Sequence, residues 1–181
     1  MKRAHVMFAA VATVSVLALA WTAGAQQSAP TETKVQRTDR NFIRKAAEGG
    51  KEEVELGRLA QGKASSDAVK QFAQRMVEDH GKANEELKDL AANKGVKLDK
   101  NAPKKNAMME RLSKLQGVDF DREYVKEMVK DHKKDVAEFR RMHSGAVDPN
   151  LKAWIDKTLP TLEDHLKMIE GIQSQIASAK K

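Results

Sequence analysis

The sequence contains no cysteine. Disulfides and the thiolate sites of zinc fingers and iron–sulfur clusters are therefore excluded, and so is a lipid-modified cysteine anchor. There are only four prolines in 181 residues, and aromatic residues make up 4% of the chain. Both scarcities argue against a β-sandwich, which draws on aromatic and β-branched residues. Long apolar runs are also missing. The uncharged stretch from Val6 to Trp21 is shorter than the ~20 residues needed to span a bilayer as a helix. No stripe of Lys and Arg interleaves with aromatics. The surplus of 33 basic over 26 acidic residues is spread through alternating-sign segments such as Lys51-Glu52-Glu53, Lys82 to Lys88 and Arg122 to Lys134. These read as solvated helix surface rather than a nucleic-acid footprint. With 40% hydrophobic and 33% charged residues, the composition suits an all-α domain with one apolar stripe per helix.

The first 25 residues read as an address. Lys2 and Arg3 precede the apolar run, and Ala23-Gly24-Ala25 supplies the small residues a signal peptidase requires. Cleavage there predicts a mature chain starting at Gln26, exported and periplasmic, with no stable membrane insertion. It removes two basic residues and no acidic ones, leaving a surplus of five positive charges. Residues 26–38 are polar and aperiodic and are expected to form a flexible tail.

From Asp39, the expected cap of the first helix, to Ile176 the pattern is helical. Phe42, Ala46, Gly49, Leu56 and Ala60 recur at about 100° per residue. Ser65-Ser66-Asp67 offers a break and an N-cap. A second helix carries Val69, Phe72, Ala73, Met76, Val77, Ala83, Leu87 and Leu90, and closes at Gly95, a residue suited to the left-handed C-terminal position. The longest connection follows, Gly95 to Lys105 with Pro103, and then a short helix with Met108, Leu112 and Leu115, stopped by Gly117. Asp119 is the expected cap of the third long helix, which carries Tyr124, Val125, Met128, His132, Val136 and Phe139. Asp148-Pro149 opens the fourth, an acidic cap with proline at the first helical position. Its stripe is Leu151, Ile155, Leu162, Leu166, Ile169, Ile172 and Ile176, and Pro160 lies on the opposite, solvent side, where it bends the helix without breaking it. Val69-Lys70-Gln71-Phe72-Ala73 echoes Leu151-Lys152-Ala153-Trp154-Ile155 at a separation of 82 residues. Short turns join the first pair of long helices and the last pair, so two similar antiparallel hairpins are expected to form a four-helix bundle.

Polar residues fall where core is expected. Three of the histidines end related phrases: Met76-Val77-Glu78-Asp79-His80, Met128-Val129-Lys130-Asp131-His132 and Leu162-Glu163-Asp164-His165. On a helical wheel all three lie on the apolar faces, with Asp79 and Asp131 at the margins. Glu53 is centred on the face of the first helix, with Gly49 and Gly57 a turn to either side, which suggests close helix approach or room for a large group. A buried charge must be paired, ligated or neutralised. Two readings follow. The inward residues are satisfied core groups, or they form a divalent transition-metal site of Glu53, His80, His132 and His165, with Asp135 as a further ligand or orienting group. Met76 and Met128, each four residues before a histidine, would suit copper but also serve as core filler. Residue counting sets Glu53 and His80 about four residues out of level, or ~6 Å, which weakens the metal reading. The Glu-x-x-His pairs of di-iron bundles are absent, since Val77 and Leu162 hold those positions. No Ser or Lys is tied to these histidines by a nucleophile motif.

The stretches Phe42 to Gly50, Glu53-Val54-Glu55-Leu56-Gly57, Val69 to Leu87 and Thr158-Leu159-Pro160-Thr161-Leu162 resemble a bacterial family of exported proteins of unknown function, often labelled outer-membrane proteins. The resemblance spans Asp39 to Ile172 and implies a ferritin-like four-helix bundle in the periplasm. Glu53, His80, His132 and His165 match recurrent family positions without assigned roles. The leading expectation is a non-enzymatic binding module of the envelope, acting in stress through a protein partner or self-association. The alternative is a metal-binding bundle.

Overall fold

A computed structural model describes residues 36–99 and 107–178. The expected cleavage site and most of the expected tail lie outside these residues. The described chain is all-helical: α1 (Arg37–Lys63), α2 (Asp67–Asn93), a short α3 (Ala107–Ser113), α4 (Gly117–Gly145) and α5 (Pro149–Ser178). The four long helices have 27, 27, 29 and 30 residues, so each is roughly 40 Å long at 1.5 Å per residue. α1 packs along α2 and α4 along α5, and the hairpins meet mainly through α2 against α5. No helix among the described residues is long and apolar enough to cross a membrane.

Several termini differ from expectation. α1 begins at Arg37, so Asp39 lies inside it rather than capping it, and its side chain is buried. Ser66 stands at the N-cap of α2 but makes no side-chain cap bond. α4 begins at Gly117, whose φ of +60° lets the chain turn into the helix there, leaving Asp119 exposed in the first turn. Asp148 does cap α5, its Oδ1 accepting from the N–H groups of Asn150 and Leu151 at 3.0 Å each. Gly95, with φ of +63°, closes α2 as expected, and the Val96 N–H reaches back to the Ala91 carbonyl at 2.8 Å. Pro160 sits exposed within α5.

Two buried carboxylates near helix starts each bind the other hairpin's turn. Asp121, near the start of α4, accepts from the Ser65 N–H (3.1 Å), the Ser65 Oγ–H (2.5 Å) and the Ser66 N–H (2.9 Å). Asp39, near the start of α1, accepts from the N–H groups of Val147 (3.1 Å) and Asp148 (2.9 Å). Each member of the second clasp is 82 residues from its counterpart in the first, the same offset as the sequence echo. The two hairpins thus grip each other reciprocally, one clasp at each end of the bundle.

Between the ends, the apolar core is in two parts. One cluster holds Leu56 and Ala60 of α1, Phe72 and Met76 of α2, Tyr124 and Met128 of α4, and Ile169 and Ile172 of α5. The other holds Phe42 and Ile43, Leu87 and Ala91, Val136 and Phe139, and Leu151 and Leu162. On every long helix, one inward ionisable residue separates the two: Glu53, His80, His132 and His165. They form a polar layer at mid-height.

Candidate metal centre

The layer exists because each of these residues occupies a face-centred position between apolar neighbours one turn away, so burying the stripe carries it inward. Glu53 and His80 retain 8% and 6% of their exposure, and His132 and His165 retain 0%. The offset expected between α1 and α2 does not separate Glu53 from His80: Glu53 Oε2 stands 3.0 Å from His80 Nδ1. Two things close the gap. The side chains are long enough to lean along the helices, and α1 approaches α2 closely at Gly57, where an added Cβ would stand 2.9 Å from the Ala73 carbonyl oxygen.

Each imidazole has one nitrogen committed. His80 Nδ1 faces Glu53, His132 Nδ1 donates to the Met128 carbonyl at 3.0 Å, and His165 Nε2 meets Asp79 Oδ2 at 2.9 Å. A carbonyl only accepts, so His132 carries its proton on Nδ1. The other three nitrogens, His80 Nε2, His132 Nε2 and His165 Nδ1, are buried without a hydrogen-bond partner, as is Glu53 Oε1, 3.8 Å from His132 Nε2. One nitrogen from each ring lies within 4.8 Å of the other two. Ring centroids are 5.2 Å apart for His80 and His165, 5.6 Å for His132 and His165, and 5.9 Å for His80 and His132. Phe72 closes the layer from below, with its ring 6.0 Å from both His132 and His165.

The electrostatics follow from crowding. Burial resists the charge on Glu53, but His80, by its field and its hydrogen bond, outweighs that and holds the carboxylate below its usual range. Burial likewise opposes a charged His80, yet Glu53 raises its pKa on balance. Burial lowers His132, against the pull of Glu53. His165 is pushed down to about 4, first by burial and then by its neighbours His80 and His132, with Asp79 opposing. His132 and His165 are therefore neutral at neutral pH and hold lone pairs for an electrophile.

Asp135 is half-buried and lines the same region as Glu53 and His80. Burial and the nearby charge of Glu53 push it up to about 7. It does not join the three histidine nitrogens as a donor. Asp79, which sequence reasoning left at the margin, holds the His165 ring; its place immediately before His80 is the signal that would have marked it. The remaining histidine among the described residues, His143, pairs with Asp156 at 3.0 Å on the surface.

A cavity of about 660 Å³ reaches the layer from one side, lined by Gly49, Glu53, His80, Asp135, Phe139 and Trp154 among others. A smaller one, about 130 Å³, lies against Asp79, His80 and His165. The two glycines flanking Glu53 thus do different jobs. Gly57 permits helix contact, whereas nothing lies within 4 Å of a Cβ added at Gly49.

Residues 24–172 match the profile of a family described as "Domain of unknown function (DUF4142)". No curated protein matches the sequence. Among solved structures, the chain is similar to "CopM in the Cu(I)-bound form", with a TM-score of 0.65 at 19% identity, covering 77% of this chain and 98% of that one. It is also similar to a DUF305 fragment from Deinococcus radiodurans, with a TM-score of 0.69 at 13% identity over 78% and 98% of the two chains. A third similar structure is "CopM in the Ag-bound form (by co-crystallization)", with a TM-score of 0.63 at 18% identity over 76% and 96%. At these identities the likeness bears on the helical-bundle fold alone.

Proposed function

The chain belongs to the DUF4142 family, and since membership assigns no activity, we propose from the geometry that it is a metal-binding bundle. A transition-metal ion would be held by His80, His132 and His165. The observation that carries this is three buried histidines, each with one ring nitrogen without a partner and each able to offer a nitrogen within 4.8 Å of the other two. Burying three such nitrogens unsatisfied is costly, and one ion satisfies all three. With metal–nitrogen bonds of about 2.0–2.1 Å, nitrogens around a tetrahedral ion stand roughly 3.3 Å apart, so the rings need draw in only modestly. Glu53, the Met128 carbonyl and Asp79 then act as outer partners that fix each tautomer and ring orientation. Imidazole donors suit copper and zinc alike. The fold neighbour CopM was crystallised with Cu(I), Cu(II) and silver, and this makes copper the first ion to test.

The sequence alone favoured a binding module acting through a protein partner; the arrangement of nitrogens moves the metal reading ahead of it. Export belongs to the same proposal. Lys2, Arg3, the run from Val6 to Trp21 and Ala23-Gly24-Ala25 support a periplasmic bundle of the ferritin-like kind as part of it.

Isothermal titration with Cu(II), Cu(I) under reductant, and Zn(II), paired with thermal melts, tests the reading. One ion per chain should bind and raise the melting temperature; at a hundred times the dissociation constant the stabilisation is about 2.7 kcal/mol. Binding should weaken as pH falls, because the ion displaces a proton from His80. His132→Ala should abolish the gain. No melting shift with copper, zinc, iron or manganese, or an unchanged shift in His132→Ala, would overturn it.

A further inference from the structure

The triad is buried, and two cavities come up to it, the small one at Asp79, His80 and His165 and the larger one at Glu53 and His80. His132 and His165 have no exposure, and Phe72 lies against both. His80 and Glu53, by contrast, form part of the wall of the 660 Å³ cavity, which residues of all four long helices line. Gly49 keeps that cavity wide. A structural zinc-type site uses four protein donors, whereas three donors leave a position for a solvent molecule or substrate. Here the gathered donors are three, and the nearest carboxylate, Glu53, has one oxygen engaged with His80 while Oε1 is buried and without a partner.

We propose that the metal site is an open, exchangeable one. Its fourth coordination position faces this cavity and takes a small neutral ligand that also donates a hydrogen bond to Glu53 Oε1, of the chemical class of water, imidazole or an amine. The proposal rests on the metal-binding reading above. Two features set the ligand class. The cavity is far larger than a water needs, so a compact ring enters it. The unpartnered oxygen of Glu53 rewards a ligand bearing N–H or O–H over an anion that cannot donate. The ion keeps its three histidines throughout, and only the fourth ligand exchanges.

The test uses the mature chain loaded with Co(II), whose visible bands report coordination, titrated with imidazole and separately with azide. Imidazole should shift the bands at least tenfold more tightly than azide. Gly49→Trp should weaken the imidazole response at least tenfold while keeping one cobalt per chain. Gly62→Trp, on the exposed side of the same helix, should leave it unchanged, and Gly49→Leu serves if the tryptophan variant misfolds by circular dichroism. Cobalt bands that ignore imidazole, an equal response in Gly49→Trp, or tighter binding of azide would overturn the open site while leaving metal binding intact. Absence of cobalt bands together with no melting shift from copper or zinc would overturn both readings.

Discussion

Acidifying the metal-free protein from pH 7 to pH 5 should destabilise it through His165. Its folded pKa of about 4 lies below the unfolded value of about 6.5, so the native state favours the neutral ring. Stability from such a group is full above 6.5 and is lost as pH falls toward the folded value. Across this window the loss from His165 alone is about 2 kcal/mol, and for a bundle of this size that is a melting shift of roughly 4–8 °C. His132 is shifted in the same direction. His80 is shifted the other way, so its contribution is present below 6.5 and fades as pH rises through its raised folded value. Glu53, held low, keeps its contribution above 4.5 and loses it only as pH falls further. The His165 term is therefore isolated by difference, with urea unfolding of the native protein and of His165→Leu followed by circular dichroism in chelator at both pH values. Leucine fills the position beside Phe72, and the Asp79 carboxylate it leaves is a third exposed and can take water. The native protein should lose about 2 kcal/mol more than the variant. Parallel losses, or a native protein that gains on acidification relative to His165→Leu, would refute the reasoning.

Three further outcomes are expected. Gly57→Ala places a methyl 2.9 Å from both the Ala73 oxygen and Val77 Cγ2 and should cost about 1–3 kcal/mol, whereas Gly49→Ala meets nothing and should gain up to about 1 kcal/mol from helix propensity; denaturant midpoints reversed between the two would contradict the packing. Asp121→Ala and Asp39→Ala, which remove the reciprocal clasps, should each cost on the order of 2–4 kcal/mol, and melting curves within a degree of the native protein would show that the clasps are dispensable. Intact mass of the exported product should place its N-terminus at Gln26, and a product retaining residues 1–25 would remove the export assignment.

The sequence by itself determined what depends on local spacing. The 3.6-residue recurrence from Phe42 to Ile172 decided the four long helices, the Asp148-Pro149 pair and Gly95 decided two of their ends, and the same periodicity placed Glu53, His80, His132 and His165 on inward faces. Those properties belong to one helix at a time, so a wheel reads them. Other end signals misled: Asp39 and Asp119 have the chemistry of caps, but a carboxylate binds whichever N–H groups tertiary packing presents. Asp39 found those of Val147 and Asp148, more than a hundred residues away. The level of one helix against another is likewise no local property. Counting from the turn set Glu53 and His80 about four residues apart along the bundle, yet the close approach at Gly57 and the reach of two long side chains bring them to 3.0 Å. Which nitrogen of each histidine is occupied, and hence which three are free, depends on partners on other helices and one turn back, Glu53, Asp79 and the Met128 carbonyl. Only the tertiary structure decided that, because a ring commits one nitrogen to the nearest acceptor, and packing chooses the acceptor.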